Sequence, residues 1–297
     1  MTAGSRPRRL GGRSRCKASF RFAPLRFAAR TYSHQGNYRK NVALPYAAYS
    51  AMVLHYYSGR CQSLNLLLQE WKLWDSDIIM RAALECATRF LFVSIAPQGE
   101  RTQRIDEYSV FLSEIEELQT SEKAKAFVAE ATEEHAKMLI GGVMLSDEDE
   151  ALLRAKWPKV KRNALKQKWS FSEIVRVVSA FNHDRLDLRK YKSFLHGYGI
   201  SSHLIHADQT AMDVVWDRAN RNPQERAILE NAHFARLATE PVSLLFLCWR
   251  AMEYASGIDS KSDNIVDSII NLNEQADVYH RAFAESQAHF YGVSQRT

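Results

Sequence analysis

Apolar residues recur every three or four positions through most of this chain, which is the period of an α-helix, whereas the strict alternation typical of strands is nearly absent. Pro97, Pro158 and Gly257 mark predicted helix ends. The pattern predicts helices over residues 46–70, 75–95, 100–119, 121–139, 146–157, 170–181, 186–207, 223–256 and 260–291. The basic stretch 159–168 lacks a period and is predicted to be a loop.

These elements predict an all-α fold, an antiparallel helical array or bundle with mostly short connections and one longer insertion around residues 140–168. The sequence has no internal repeat, no long heptad run and no glycine-rich phosphate loop. We predict that residues 42–297 form a single all-α domain and that residues 1–41 are a disordered basic leader.

The first 40 residues contain eleven lysines and arginines and no acidic residue. Such a segment buries too little apolar surface to fold. Three interpretations remain open: a leader translated from a start codon placed too far upstream, a tail that attracts nucleic acid, or a targeting peptide with a cleavage context at residues 30–33. The rest of the chain carries 29 basic and 34 acidic residues, so its mild acidity weakens the case for a polyanionic partner.

An apolar content of 46% and a charged content of 25% are typical of a soluble globular protein. The longest apolar stretch, residues 78–96, is interrupted by Arg81, Glu85 and Arg89. Three charges at these positions would be costly in a bilayer, so we predict a buried helix and no membrane partner.

The cysteines are widely separated and form no Cys-x-x-Cys pair. Cys61, Cys86 and Cys248 fall within apolar helical patterns, so we predict small buried side chains in a reducing, cytoplasmic compartment. Glu230-x-x-His233 matches the di-iron pattern only once, and a di-iron bundle needs two such pairs. We therefore predict neither a metal nor another cofactor.

Two motifs at helical spacing concentrate the reactive side chains: Arg81-x-x-x-Glu85 and Tyr198-x-x-x-Ser202-x-x-x-His206. Residues four apart share one face of a helix, so each motif directs its polar groups the same way. The first motif fits an exposed face, a buried tie, or an arginine held by its carboxylate to bind an anion. The second fits an internal hydrogen-bond network or an acid–base site.

The run Ile79-Met80-Arg81-Ala82-Ala83-Leu84-Glu85, followed later by Tyr198, Ser202 and His206, resembles the bacterial domain-of-unknown-function family numbered 5677. The likeness covers about residues 48–212. That family looks like a relative of the HEPN superfamily, which includes ribonucleases of toxin and antiphage systems. The resemblance implies an HEPN-like helical fold and a bacterial protein, and it implies no particular reaction.

Active HEPN ribonucleases carry an arginine followed, after four to six residues, by a histidine. Arg176 to His183, Arg189 to His196 and Arg226 to His233 match this spacing. With 26 arginines and ten histidines in the chain, roughly that many matches arise by chance. His206 has no arginine at this spacing.

These observations give two hypotheses that share one fold. The first is an interaction or scaffold module with an internal polar network, bound to a protein partner or to a second copy. The alternative is a metal-independent ribonuclease in which Arg81 holds the phosphate, Glu85 orients Arg81 and His206 transfers protons, with Tyr198 and Ser202 in the same pocket. RNA is a partner only in the second hypothesis.

Overall fold

The computed structural model describes residues 45–258 and 263–288, and helices make up most of this part of the chain, which confirms the predicted all-α class. The predicted leader 1–41 lies outside the described residues. The elements are α1 (Tyr46–Gln69), α2 (Leu73–Ser94), α3 (Gln98–Asp106), a π-helical turn (Glu107–Phe111), α4 (Leu112–Glu130), α5 (Glu134–Gly141), α6 (Asp147–Lys156), α7 (Lys159–Lys168), α8 (Phe171–Val178), β1 (Asn182–His183), β2 (Leu186–Asp187), a 3-10 turn (Tyr191–Leu195), α9 (His196–His206), α10 (Gln209–Asn220), α11 (Pro223–Ser256) and α12 (Asp263–Gln287).

Helix α2 lies at the centre of the core and contacts α1, α8, α9 and α11. Ala83, Phe90 and Leu91 of α2 are fully buried. Tyr49 of α1 stacks on Phe90 with parallel rings whose centroids are 6.3 Å apart. Burial of each large apolar side chain contributes about 1.5–3 kcal/mol, so this helix anchors its neighbours.

Capping residues set several helix ends where the sequence predicts them. Gly257 ends α11 in the left-handed conformation, with φ of 73°. Ser146 caps α6 by accepting a hydrogen bond from the backbone N–H of Asp149. The predicted break near residue 120 is wrong, because α4 continues to Glu130.

The predicted loop over residues 159–168 is also wrong, since these residues form α7. Lysine, arginine, glutamine, alanine and leucine are strong helix formers, and their propensity acts here without a regular apolar period. Leu165 packs against the core, and the carboxylate of Glu107 accepts hydrogen bonds from Lys168 and from the indole of Trp169. Tertiary contacts therefore hold a helix that periodicity alone does not reveal.

The predicted helix 186–207 is wrong in its first half, which forms the hairpin strand β2 and a 3-10 turn before α9 begins at residue 196. The side chain of Asp187 accepts the backbone N–H of Arg189, a local bond that competes with helix formation. The sequence pattern also misses α10. Asp208 caps this helix by accepting the backbone N–H of Ala211.

Cys86 and Cys248 are buried free thiols, as predicted, whereas Cys61 is only partly buried. Burial raises the pKa of Cys86 to about 12 and the pKa of Cys61 to about 11, so both stay protonated at neutral pH. Within the ranges that the structure describes, no helix combines the length and the apolar character needed to span a bilayer.

Candidate functional site

The polar stripe on α2 has the geometry that its spacing predicts. Nε of Arg81 donates to Oε1 of Glu85 at 3.1 Å, and Nη2 of Arg89 donates to Oε2 of the same carboxylate at 3.3 Å. The side chains of Arg81 and Glu85 are 18% and 24% exposed. The stripe is therefore half-buried and not simply a solvent-facing surface.

Tyr198 of α9 joins this stripe across 117 residues of sequence. Nη2 of Arg81 donates to its hydroxyl at 3.1 Å, and that hydroxyl donates to Oε1 of Glu85 at 3.2 Å. The guanidinium of Arg81 lies 4.5 Å from the centre of the Tyr198 ring, and the ring of Phe171 stacks on that of Tyr198 with centroids 4.1 Å apart. Burial, helped by the charge of Glu85, raises the pKa of Tyr198. We call Arg81, Glu85 and Tyr198 the Arg81 cluster.

Ser202 and His206 stand apart from the Arg81 cluster. Among the described residues, no hydrogen bond joins either side chain to the cluster, and His206 is exposed. His206 lies eight residues beyond Tyr198, about 12 Å along the helix axis. The buried hydroxyl of α9 belongs to Ser201, which donates to the carbonyl of Gly197 at 2.8 Å. The structure thus brings three of the five predicted residues together, and their functional role stays a prediction.

A second cluster, which the sequence does not predict, lies one turn earlier on α2. The carboxylate of Asp77, 1% exposed, meets Nε2 of His233 at 2.5 Å and accepts from Nη2 of Arg236 at 2.5 Å. Nη1 of Arg218 lies 2.6 Å from Nδ1 of His233. We call Asp77, Arg218, His233 and Arg236 the Asp77 cluster. It joins α2, α10 and α11.

The contacts of His233 assign its proton. Arginine can only donate, so Nδ1 accepts from Arg218 and Nε2 carries the hydrogen that it donates to Asp77. Burial lowers the pKa of His233, and this effect, with smaller contributions from the charges of Arg236 and Arg218, exceeds the opposing effect of Asp77. Burial alone would raise the pKa of Asp77, but His233 and Arg236 hold it below its usual value. A neutral imidazole therefore faces an ionised carboxylate.

Gly197 of α9 makes room for this arrangement. A Cβ atom at Gly197 would lie 2.3 Å from Nη1 of Arg236, which also donates to Glu240 at 3.0 Å. At Gly199, one half-turn away, a Cβ atom would meet no atom of the described residues within 4 Å. Because it has no side chain, Gly197 thus allows α9 to approach the Asp77 cluster closely.

The Asp77 cluster forms one wall of a cleft of about 200 Å³. Helix α12 adds the half-buried His280 and the exposed Phe283 to the lining. The cleft is lined by Trp74, Asp77, Gly197, Ile200, Arg218, Leu229, Ala232, His233, Arg236, His280 and Phe283. A cleft with two guanidinium groups and two imidazoles can bind a small anion.

Two sequence motifs include His233: the di-iron pattern Glu230-x-x-His233 and the ribonuclease spacing from Arg226 to His233. Neither motif predicts the contacts that His233 makes. In the structure Glu230 pairs with Arg226 at 3.4 Å and accepts from the indole of Trp71 at 3.4 Å, whereas His233 bonds to Asp77 and Arg218. Over the described residues, no group of three or more potential metal-binding side chains comes together.

Comparison with protein-family models, with curated proteins and with solved structures gives no match for this chain. The resemblance to family 5677 therefore stays a prediction.

Proposed function

We propose that this protein is a helical interaction module in which the Arg81 and Asp77 clusters fix the packing of α2 against α9 and α11. One observation carries the proposal: Arg81, Glu85 and Tyr198 bond to one another, while His206 lies about two turns away on the surface. General acid–base catalysis on a phosphate held by Arg81 needs a proton-transfer group within hydrogen-bond reach. His206 does not meet this requirement. Free thiols at Cys61, Cys86 and Cys248 support a cytoplasmic location as part of the proposal.

RNA cleavage and thermal melting of the full chain test this proposal together. We expect no cleavage by the wild type. Arg81→Ala should lose charge-assisted hydrogen bonds worth about 1–3 kcal/mol and melt several degrees lower. His206→Ala should melt like the wild type, because it removes an exposed ring that bonds to neither cluster.

The alternative, a ribonuclease of the HEPN type, has one observation in its favour. Nη1 of Arg81 is enclosed and has no hydrogen-bond partner among the described residues, so it retains a free donor for an anion. Cleavage by the wild type that is lost in both Arg81→Ala and His206→Ala, with unchanged melting temperatures, would contradict the interaction module and establish the ribonuclease.

The exposed face of α10 supports a contact surface for such a module. Met212, Val215 and Trp216 follow helical spacing and are 52%, 36% and 71% exposed. Contiguous exposed apolar side chains mark interaction sites, and tryptophan is enriched among residues that dominate binding energy. Because two-fold dimers are the commonest symmetric assembly, the partner in this proposal is a second copy of the chain.

Sedimentation over a range of protein concentrations tests this surface. We expect a reversible dimer, and Trp216→Gln should weaken its association by at least about 2 kcal/mol. The matched control is Leu66→Gln on α1, which replaces another exposed apolar side chain, 64% exposed, and should leave the association unchanged. A wild type that stays monomeric throughout, or equal weakening in both variants, would argue against α10 as the contact.

A further inference from the structure

Arg218 is a half-buried cation whose guanidinium bonds to an imidazole, that of His233. Among the described residues no acidic side chain lies within ion-pair distance of its guanidinium, whereas Arg221 pairs with Asp217 and Arg236 pairs with Asp77. Burial lowers the pKa of Arg218, which means that its charged form is poorly solvated. An anion that reaches such a poorly solvated charge stabilises it.

The surroundings of Arg218 hold its guanidinium at the cleft. Its Cζ lies 4.0 Å from the centre of the Trp74 ring, a cation–π contact, and its Nη1 donates to His233. The indole of Trp74 also packs edge-on against His233, with ring centroids 5.0 Å apart. The arginine is therefore oriented before any ligand arrives.

Among the described residues, Asp77 supplies the one carboxylate that lines the cleft, and its charge is already paired. Each oxygen of Asp77 faces a donor, one from His233 and one from Arg236. His280 adds a further imidazole from α12. The cleft therefore offers an entering anion the guanidinium of Arg218 without a competing unpaired carboxylate.

The size of the cleft and the hydrogen-bond acceptor on His233 indicate which kind of anion the cleft can bind. A volume of about 200 Å³ is below the range of about 300–1,000 Å³ typical of sites for drug-sized ligands. Nδ1 of His233 accepts a hydrogen bond, and Asp77 holds the ring in that tautomer. A ligand that bonds to both Arg218 and Nδ1 must accept from the first and donate to the second.

We propose that this cleft binds a phosphate group that retains a proton, with Arg218 donating to a phosphate oxygen and the phosphate hydroxyl donating to Nδ1 of His233. On binding, the phosphate takes the place of the direct bond between Arg218 and His233. Sulfate has a similar size and charge but carries no hydroxyl at neutral pH, so it satisfies Arg218 and leaves Nδ1 without a donor.

Titration calorimetry of the full chain with inorganic phosphate and with sulfate tests this assignment. We expect phosphate to bind in the micromolar to millimolar range and roughly tenfold more tightly than sulfate. Arg218→Gln should weaken phosphate binding roughly ten- to a hundredfold, because it removes a charge-assisted hydrogen bond. Methyl phosphate, added as a second ligand, distinguishes a site for the free ion from a site for a phosphate group on a larger molecule.

The matched control is Arg221→Gln. Arg221 follows Arg218 closely in the sequence but already pairs with Asp217. This variant should bind phosphate like the wild type, and melting curves should show that both variants are folded. Equal loss in the two variants, equal affinity for phosphate and sulfate, or no heat of phosphate binding by folded wild type would overturn the proposal. Because this test reads neither RNA cleavage nor self-association, its outcome is independent of the proposed function.

Discussion

Replacement of Asp77 by alanine is expected to lower the free energy of unfolding by about 3–5 kcal/mol, the range for removing one partner of a buried ion pair. The carboxylate is 1% exposed and satisfies both His233 and Arg236. Without it, the buried imidazole N–H of His233 loses its acceptor, and the guanidinium of Arg236 keeps only its bond to Glu240. Urea unfolding of the purified variant measures the loss.

Asp75→Ala is the matched control on the same helix. Asp75 is exposed in the first turn of α2, so its removal loses only a favourable interaction with the helix dipole, about 1 kcal/mol or less. Similar small losses for Asp75→Ala and Asp77→Ala would contradict the buried ion pair as a source of stability.

Two glycine variants in α9 test the contact between Arg236 and Asp77. Gly197→Ala would push its new methyl group against the guanidinium of Arg236, which must then shift and disturb its bonds to Glu240 and Asp77. Gly199→Ala meets open space and gains up to about 1 kcal/mol of helix propensity. We expect the first variant to be less stable than the wild type and the second to be at least as stable.

The long helices could be predicted from the sequence because their information is local. The period of α1, the apolar run of α2 and the glycine after α11 give bounds within a few residues of the structure. The failures occur where local and tertiary effects compete. The segment of α7 has helix-forming residues but no period, and its packing through Leu165 cannot be deduced from spacing. Asp187 replaces a predicted helical turn with a side-chain bond.

The candidate site divides in the same way. The Arg81–Glu85 pair depends on two residues one turn apart, so spacing alone predicts it. In the Asp77 cluster, His233 and Arg236 lie 156 and 159 positions after Asp77 in the sequence, and no single-sequence pattern encodes that pairing. One local signal was present, because Asp77 precedes Arg81 by four residues and so extends the same polar stripe towards the start of α2.

The protonation of His233 is expected to make the stability of the protein depend on pH. The folded-state pKa of His233 lies below its usual value of 6.5, because of burial and the nearby arginines. As the pH falls through 6.5, the unfolded chain takes up a proton that the folded protein does not. The free energy of unfolding therefore decreases, with a slope that approaches about 1.4 kcal/mol per pH unit from this one site. Asp77 adds a further loss only at more acidic pH, below its usual pKa of 3.8.

His233→Gln isolates this effect, because a glutamine amide supplies one donor for Asp77 and one acceptor for Arg218 but does not titrate. Urea unfolding from about pH 7.5 to about pH 5 should show a constant difference between variant and wild type above pH 7, and a difference that shrinks towards acid. Arg236 and His280 also face the cleft, and His280→Gln should keep the slope because His233 is still present. A slope that persists in His233→Gln would mean that another group carries it. If the slope of stability against pH disappears in His233→Gln and remains in His280→Gln, the imidazole of His233 is neutral in the folded protein, as its acceptance of a hydrogen bond from Arg218 requires.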